Sequence, residues 1–185
     1  MIQITYTGMI LFISLCWIVG RVMNGIKQKH LNWKREAQLI LVYICLIVVA
    51  RFVFFPFSKV NGKVQPLLFD AAQIVPFRLN LVPFVYLFDY PTKGEAVLNF
   101  VGNTTMFVPI GIIWPMVYKK LDTHGKVFLA GVGFSFIIEI IQLLFYDRVT
   151  DIDDLLMNSF GFAVGYGIYL LVKTVSSKAK NKSKK

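Results

Sequence analysis

Glu139 and Gln142 lie inside the apolar run from Val127 to Tyr146. They are three residues apart and so share one face of a helix, with Ser135 one turn before Glu139. A carboxyl group at membrane depth costs about 2.5–3.5 kcal/mol on insertion scales, so it faces a protein interior or a wet cavity and has a partner there. Partner candidates stand in the adjoining runs. Asn99 and Asn103 are four apart in the preceding one, and Asp151, Asp153, Asp154 and Asn158 open the next. Hydrogen bonding between helices, worth roughly 0.6 kcal/mol per polar contact, is enough to explain Asn99, Asn103 or Gln142 taken singly. It does not need the carboxyl group of Glu139. These residues point to a polar site inside a small helical membrane protein.

The candidate reactive groups are Glu139, Asp153 and Asp154, as acid, base or metal ligands. The candidate ligand-binding groups are Arg78, Asn80, Asn99, Asn103, Ser135, Gln142, Asp151 and Asn158. Asp151-Ile152-Asp153-Asp154 has two readings. One or two of its carboxylates serve as cap and dipole partner for the helix that follows. Together with Asp147 they also offer oxygen ligands for a divalent cation, though without the glycine and final glutamate of an EF-hand loop. Arg51 lies deep in an apolar run and is a candidate partner for Glu139, whereas the guanidinium of Arg78 suits a phosphate or carboxylate at the interface. His30 and His124 fall in loops on the other side from these groups, which argues against a Ser-His-Asp arrangement. Cys16 and Cys45 have neither metal-ligand spacing nor a disulfide framework around them.

Five long apolar spans must position these groups. They run from about Ile2 to Met23, Ala37 to Phe57, Gly94 to Tyr118, Val127 to Tyr146 and Asp154 to Val172. Each approaches the roughly 20 residues that cross a bilayer core. The 185 residues are 56% hydrophobic, which leaves no room for a separate soluble domain. The expected class is an all-α integral membrane protein with five transmembrane helices. Residues 1–57 form two leading spans, 58–172 a membrane core and 173–185 a basic tail, disordered beyond Ser176. Pro109 and Pro115 are expected to kink the third span. Gly161 and Gly165, with Gly167 after them, mark close helix packing, as do Gly131 and Gly133.

The net charge of +10 does not indicate nucleic acid, because the basic residues gather between and after the spans. The loops 24–36 and 119–126 and the tail 173–185 hold 4, 3 and 6 Lys and Arg. Positive-inside bias then places the N-terminus outside and the C-terminus in the cytoplasm. Residues 74–88 are apolar enough to suggest a sixth span, but Arg78, Asn80, Pro76 and Pro83 interrupt them. A sixth span would also put the three-lysine loop outside. A re-entrant or interfacial segment on the outer side is the expectation, lining the same cavity as Glu139.

Four elements occur in order: Arg78-Leu79-Asn80-Leu81-Val82-Pro83-Phe84; Asn99 and Asn103 ahead of Phe107-Val108-Pro109-Ile110-Gly111; Ser135 through Glu139 to Gln142; and Asp151-Ile152-Asp153-Asp154 with Asn158, Gly161 and Gly165. As a set they resemble the VanZ-like family, over roughly Arg78 to Leu171. The resemblance implies a multi-pass protein of the bacterial cell membrane, linked to lowered susceptibility to teicoplanin and related lipidated glycopeptides. It supplies no molecular mechanism.

Three functions are compatible with these residues. The first is binding of a lipid-linked cell-wall component, or of the antibiotic, in an outward-facing polar cavity. The second is an intramembrane hydrolase or transferase acting on an envelope lipid through Glu139 and Asp153 or Asp154, with a divalent cation at the aspartate cluster. The third is proton-coupled transport, although five spans without a repeat do not match inverted-repeat transporters. Membrane lipids are the expected surroundings in all three.

Overall fold

A computed structural model of the chain describes residues 1–27, 32–55, 59–84 and 92–182. Five helices dominate: α1 (Tyr6–Lys27), α2 (Trp33–Phe54), α3 (Lys93–Val117), α4 (His124–Gln142) and α5 (Ile152–Lys182). All five are long and apolar enough to cross a membrane. Short polar side chains start most of them. Asn32, Thr92 and Thr123 accept from the backbone N–H of Arg35, Glu95 and Lys126, satisfying donors that the first turn leaves free. Asp151 does the same for Asp153 at the head of α5.

Among the described residues, six short strands accompany the helices. β1 (Ile2–Ile4) pairs antiparallel with β4 (Leu67–Phe69). β2 (Lys59–Val60) and β3 (Lys63–Val64) form a hairpin. Its turn, Asn61-Gly62, has both residues at positive φ, 51° and 73°, as a two-residue primed turn requires. β5 (Leu79–Asn80) pairs in parallel with β6 (Thr150–Asp151). The connection between α2 and α3 is therefore short strands and one 3₁₀ turn over residues 59–84, with no spanning helix there. The part of the ambiguous stretch at 85–88 lies outside the described residues.

The pairing of β1 with β4 and of β5 with β6 brings the N-terminus, the α2–α3 connection and the α4–α5 connection to one end of the bundle. At the opposite end Arg21 pairs with Glu36, Arg35 donates to the Val117 carbonyl, and His124 meets Tyr166.

Tight packing of α3 against α5 fixes the polar residues in place. A Cβ at Gly161 or Gly165 would strike the carbonyl of Thr104 or Val108 on α3, and one at Gly111 would strike that of Phe162 on α5. The small-residue spacing thus serves an intramolecular contact. Phe107, Ile110 and Phe162 fill this core with Val127, Ile138 and Phe55. α3 passes through Pro109 and Pro115 as one uninterrupted helix. Two expected boundaries are corrected. α4 ends at Gln142, because the chain then turns and Phe145 bridges to Phe69. The basic tail is helical to Lys182: it contains neither Gly nor Pro, and Lys180 and Lys182 in its last turn favour the negative end of the helix dipole.

Candidate functional site

At the end of the bundle that carries the N-terminus, α3, α4 and α5 enclose a cavity of about 210 Å³. Asn99 and Asn103 face it from α3, Glu139 and Gln142 from α4, and Asp154 and Asn158 from α5. Asp147 and Arg148 line it from the α4–α5 connection, and Phe52, Val53 and Phe55 from α2 and its end. Six of the residues singled out by spacing thus meet around one volume.

Their hydrogen bonds fix how each side chain is presented. Asn103 Nδ2 donates to Asp154 Oδ1 at 2.6 Å and to Asn99 Oδ1 at 3.3 Å. Gln142 Nε2 donates to the Val53 carbonyl at 3.3 Å, which leaves Gln142 Oε1 free of that contact. Asn158 Nδ2 meets Ser135 Oγ at 3.0 Å, and Ser135 is fully buried beneath it. Ser135 is a support here and does not line the cavity. Glu139 Oε2 accepts from the backbone N–H of Asp151 at 3.0 Å, and its own carbonyl accepts from Thr150 Oγ1 at 2.7 Å.

Those two bonds tie Glu139 to a strap outside the cavity. The Arg78 carbonyl accepts from Thr150 N–H at 3.0 Å, continuing the β5–β6 pairing. Asn80 Nδ2 donates to Asp151 Oδ1 at 3.0 Å. Asp153, only 4% exposed, accepts from Phe84 N–H with both oxygens, at 2.9 and 3.1 Å. Phe84 sits at positive φ, 65°, so this carboxylate holds a backbone that an aromatic residue rarely adopts. Arg78 donates to the Tyr146 carbonyl and lies 3.9 Å from the centre of the Tyr146 ring. Arg78, Asn80, Asp151 and Asp153 thus belong to the strap bonded to Glu139; they are not among the residues that line the cavity.

The divergence of these carboxylates bears on metal binding. Asp151 turns to Asn80 and its own helix cap, Asp153 to Phe84, and Asp154 to Asn103. Among the described residues no three Asp, Glu, His or Cys side chains converge as a metal site would need. Of the two readings of the aspartate cluster, capping describes the bonds that Asp151 makes to its own helix. Capping and backbone bonding draw its members apart.

Among the described residues the cation that lines the cavity is Arg148; Arg51 does not line it. Arg51 donates to the Phe55 carbonyl at 3.0 Å and lies over the rings of Tyr6 and Phe52. Arg148 Nη2 donates to the Phe54 carbonyl at 2.5 Å. Burial lowers the Arg148 pKa from its ordinary value, and nearby Asp147 and Asp154 oppose that shift. Spacing alone gives no hint of this role, since an arginine in a loop beside an aspartate is ordinary.

Several buried atoms of the lining have no hydrogen-bond partner among the described residues: Glu139 Oε1, Gln142 Oε1, Asn158 Oδ1 and Arg148 Nε. The three parent residues on the helices are 3%, 4% and 1% exposed, so open solvent does not satisfy them. An unpaired buried polar atom costs about 1–3 kcal/mol. The cavity thus offers three unused acceptors and one unused cationic donor to a guest.

A family model described as VanZ/LLP1 matches residues 40–173. The chain belongs to the VanZ/LLP1 family. The matched stretch begins within α2 and closes at Lys173, so it takes in every residue of the cavity and the strap and leaves out α1. Searches of curated proteins and of solved structures returned no match. With its five apolar helices, this VanZ/LLP1 protein is a multi-pass membrane protein.

Proposed function

We propose that this VanZ/LLP1 protein binds the polar head of a lipid-linked cell-wall component in its cavity, on the outer side of the bacterial cell membrane, and thereby lowers susceptibility to teicoplanin-type lipidated glycopeptides. The observation that carries the reading is the set of unpartnered atoms. Glu139 Oε1, Gln142 Oε1 and Asn158 Oδ1 accept, and Arg148 Nε donates. A head group rich in hydroxyl or amide N–H donors, with one acidic or carbonyl oxygen, would satisfy all of them. The volume favours a head group over a whole antibiotic: about 210 Å³ is below the roughly 300–1,000 Å³ of drug-sized pockets. The polar lining also disfavours the antibiotic's lipid part. The apolar chain of the ligand would lie along lipid-facing side chains such as Val97, Phe100 and Val101, which α3 exposes.

The test is retention of a lipid-linked cell-wall precursor by purified protein in nanodiscs, followed by native mass spectrometry. Glu139→Gln keeps an oxygen for Asp151 N–H but turns an amide NH2 toward the guest in place of the second carboxyl oxygen. Leaving a buried partner unpaired costs about 1–3 kcal/mol, so retention should fall about tenfold. Equal retention by parent and variant would remove the basis of the proposal.

A second reading rests on the two carboxyl groups, Glu139 and Asp154, that line one cavity. Such a pair suits general acid and base catalysis on an envelope lipid. The same mass spectra separate the two readings. A binding protein returns the precursor intact, whereas a hydrolase or transferase returns it altered.

A further inference from the structure

The opposite end of the bundle carries a pocket of different chemistry. Lys34 and Arg35, in the first turn of α2, face Lys119 and Lys120, just past α3, across a recess of about 750 Å³. Met116 and Tyr118 supply its apolar and aromatic wall. The only carboxylate in the first turn of α2, Glu36, is already paired with Arg21. Among the described residues, Lys34, Lys119 and Lys120 have no salt-bridge partner. Arg35 is held in place by the Val117 carbonyl and by the Tyr118 ring, 5.9 Å from its guanidinium carbon. The positive end of the α2 dipole points the same way.

We propose that this recess binds the phosphate head of an anionic phospholipid. Four cations converge from two elements, one of them already anchored, and among the described residues no acid lines the recess. A phosphate diester accepts hydrogen bonds from both lysine and arginine, and the guanidinium fork matches it. The surroundings select a lipid over a free anion. Trp33 is 79% exposed beside the pocket and Met116 is 49% exposed within it, an aromatic and apolar rim at the membrane-water boundary. Ile40 and Leu41, one to two turns further along α2, are also exposed, and give the acyl chains an apolar face to follow. Basic recesses between spans are where anionic head groups dock. This site is independent of the polar cavity and would position the bundle in the leaflet facing the basic loops.

The experiment compares phosphatidylglycerol with phosphatidylcholine binding to the full chain in detergent, by native mass spectrometry and by thermal shift. Three proteins are used: the parent, a triple variant Lys34→Gln, Lys119→Gln, Lys120→Gln, and a triple Lys→Arg variant at the same positions. The parent should prefer phosphatidylglycerol. The glutamine variant should lose that preference at least about tenfold, and the arginine variant should keep it. The preference should also weaken as salt is raised. Glycerol phosphate and inorganic phosphate serve as soluble competitors and should displace the lipid poorly. A glutamine variant with the parent's preference and unchanged unfolding temperature would overturn the proposal. Displacement by the soluble phosphates at equal concentration would overturn the lipid assignment.

Discussion

Ser135 touches no ligand position, yet the site depends on it. Its Oγ is the partner of Asn158 Nδ2, and both residues are buried. Ser135→Ala leaves that amide unpaired and should cost about 1–3 kcal/mol, read as a lower unfolding temperature in detergent. A parental unfolding temperature would contradict the role assigned to the pair. Glu139 was legible in the sequence because a carboxyl group in an apolar run is anomalous by itself, and Asn103 and Asp154 because each stands four residues from another polar residue, Asn99 and Asn158. Arg148 was not. Its part depends on the chain folding back so that the Phe54 carbonyl and the cavity both lie within its reach. The partner expected for Glu139 from depth alone, Arg51, instead finds a carbonyl and two aromatic rings at the end of its own helix.

At the scale of elements, α3 and α5 act as a single unit. The carbonyls of Thr104 and Val108 rest on Gly161 and Gly165, and this sets the height at which Asn103 meets Asp154. Gly161→Val would force the helices apart. It should destabilise the protein by at least about 2 kcal/mol, with loss of protease resistance in detergent. The same substitution at Gly167, where a Cβ meets nothing, should leave protease resistance unchanged. Equal behaviour of the two variants would contradict the packing account. The spacing of Gly161 and Gly165 made close packing legible, but not the helix on the other side. The strap was hidden more completely. β5 and β6 are two residues each, too short for any alternation to show, and their pairing joins segments distant in the chain. What could be read was that Arg78, Asn80 and Pro83 argue against a sixth span. The strap gives Arg78 and Asn80 a structural reason to be there.

Across the whole molecule the two recesses differ in charge. The cavity is lined by Asp147, Asp154 and Glu139 with Arg148, and the recess at the other end by Lys34, Arg35, Lys119 and Lys120. If the basic end faces the cytoplasm, the cavity opens toward the cell wall. Single cysteines placed by Asn61→Cys and Lys180→Cys, in a Cys16→Ser, Cys45→Ser background, report this directly. An impermeant maleimide should label the first in intact cells and the second only after lysis. The reverse pattern would put the cavity on the cytoplasmic side and separate it from any cell-wall ligand.

The cavity as the seat of function is tested most directly by teicoplanin susceptibility of a sensitive Gram-positive host. The host would express the parent or Glu139→Gln at matched membrane abundance. The account predicts that the parent raises the inhibitory concentration and that Glu139→Gln, still folded through its bond to Asp151 N–H, does not. Full protection by Glu139→Gln would contradict it.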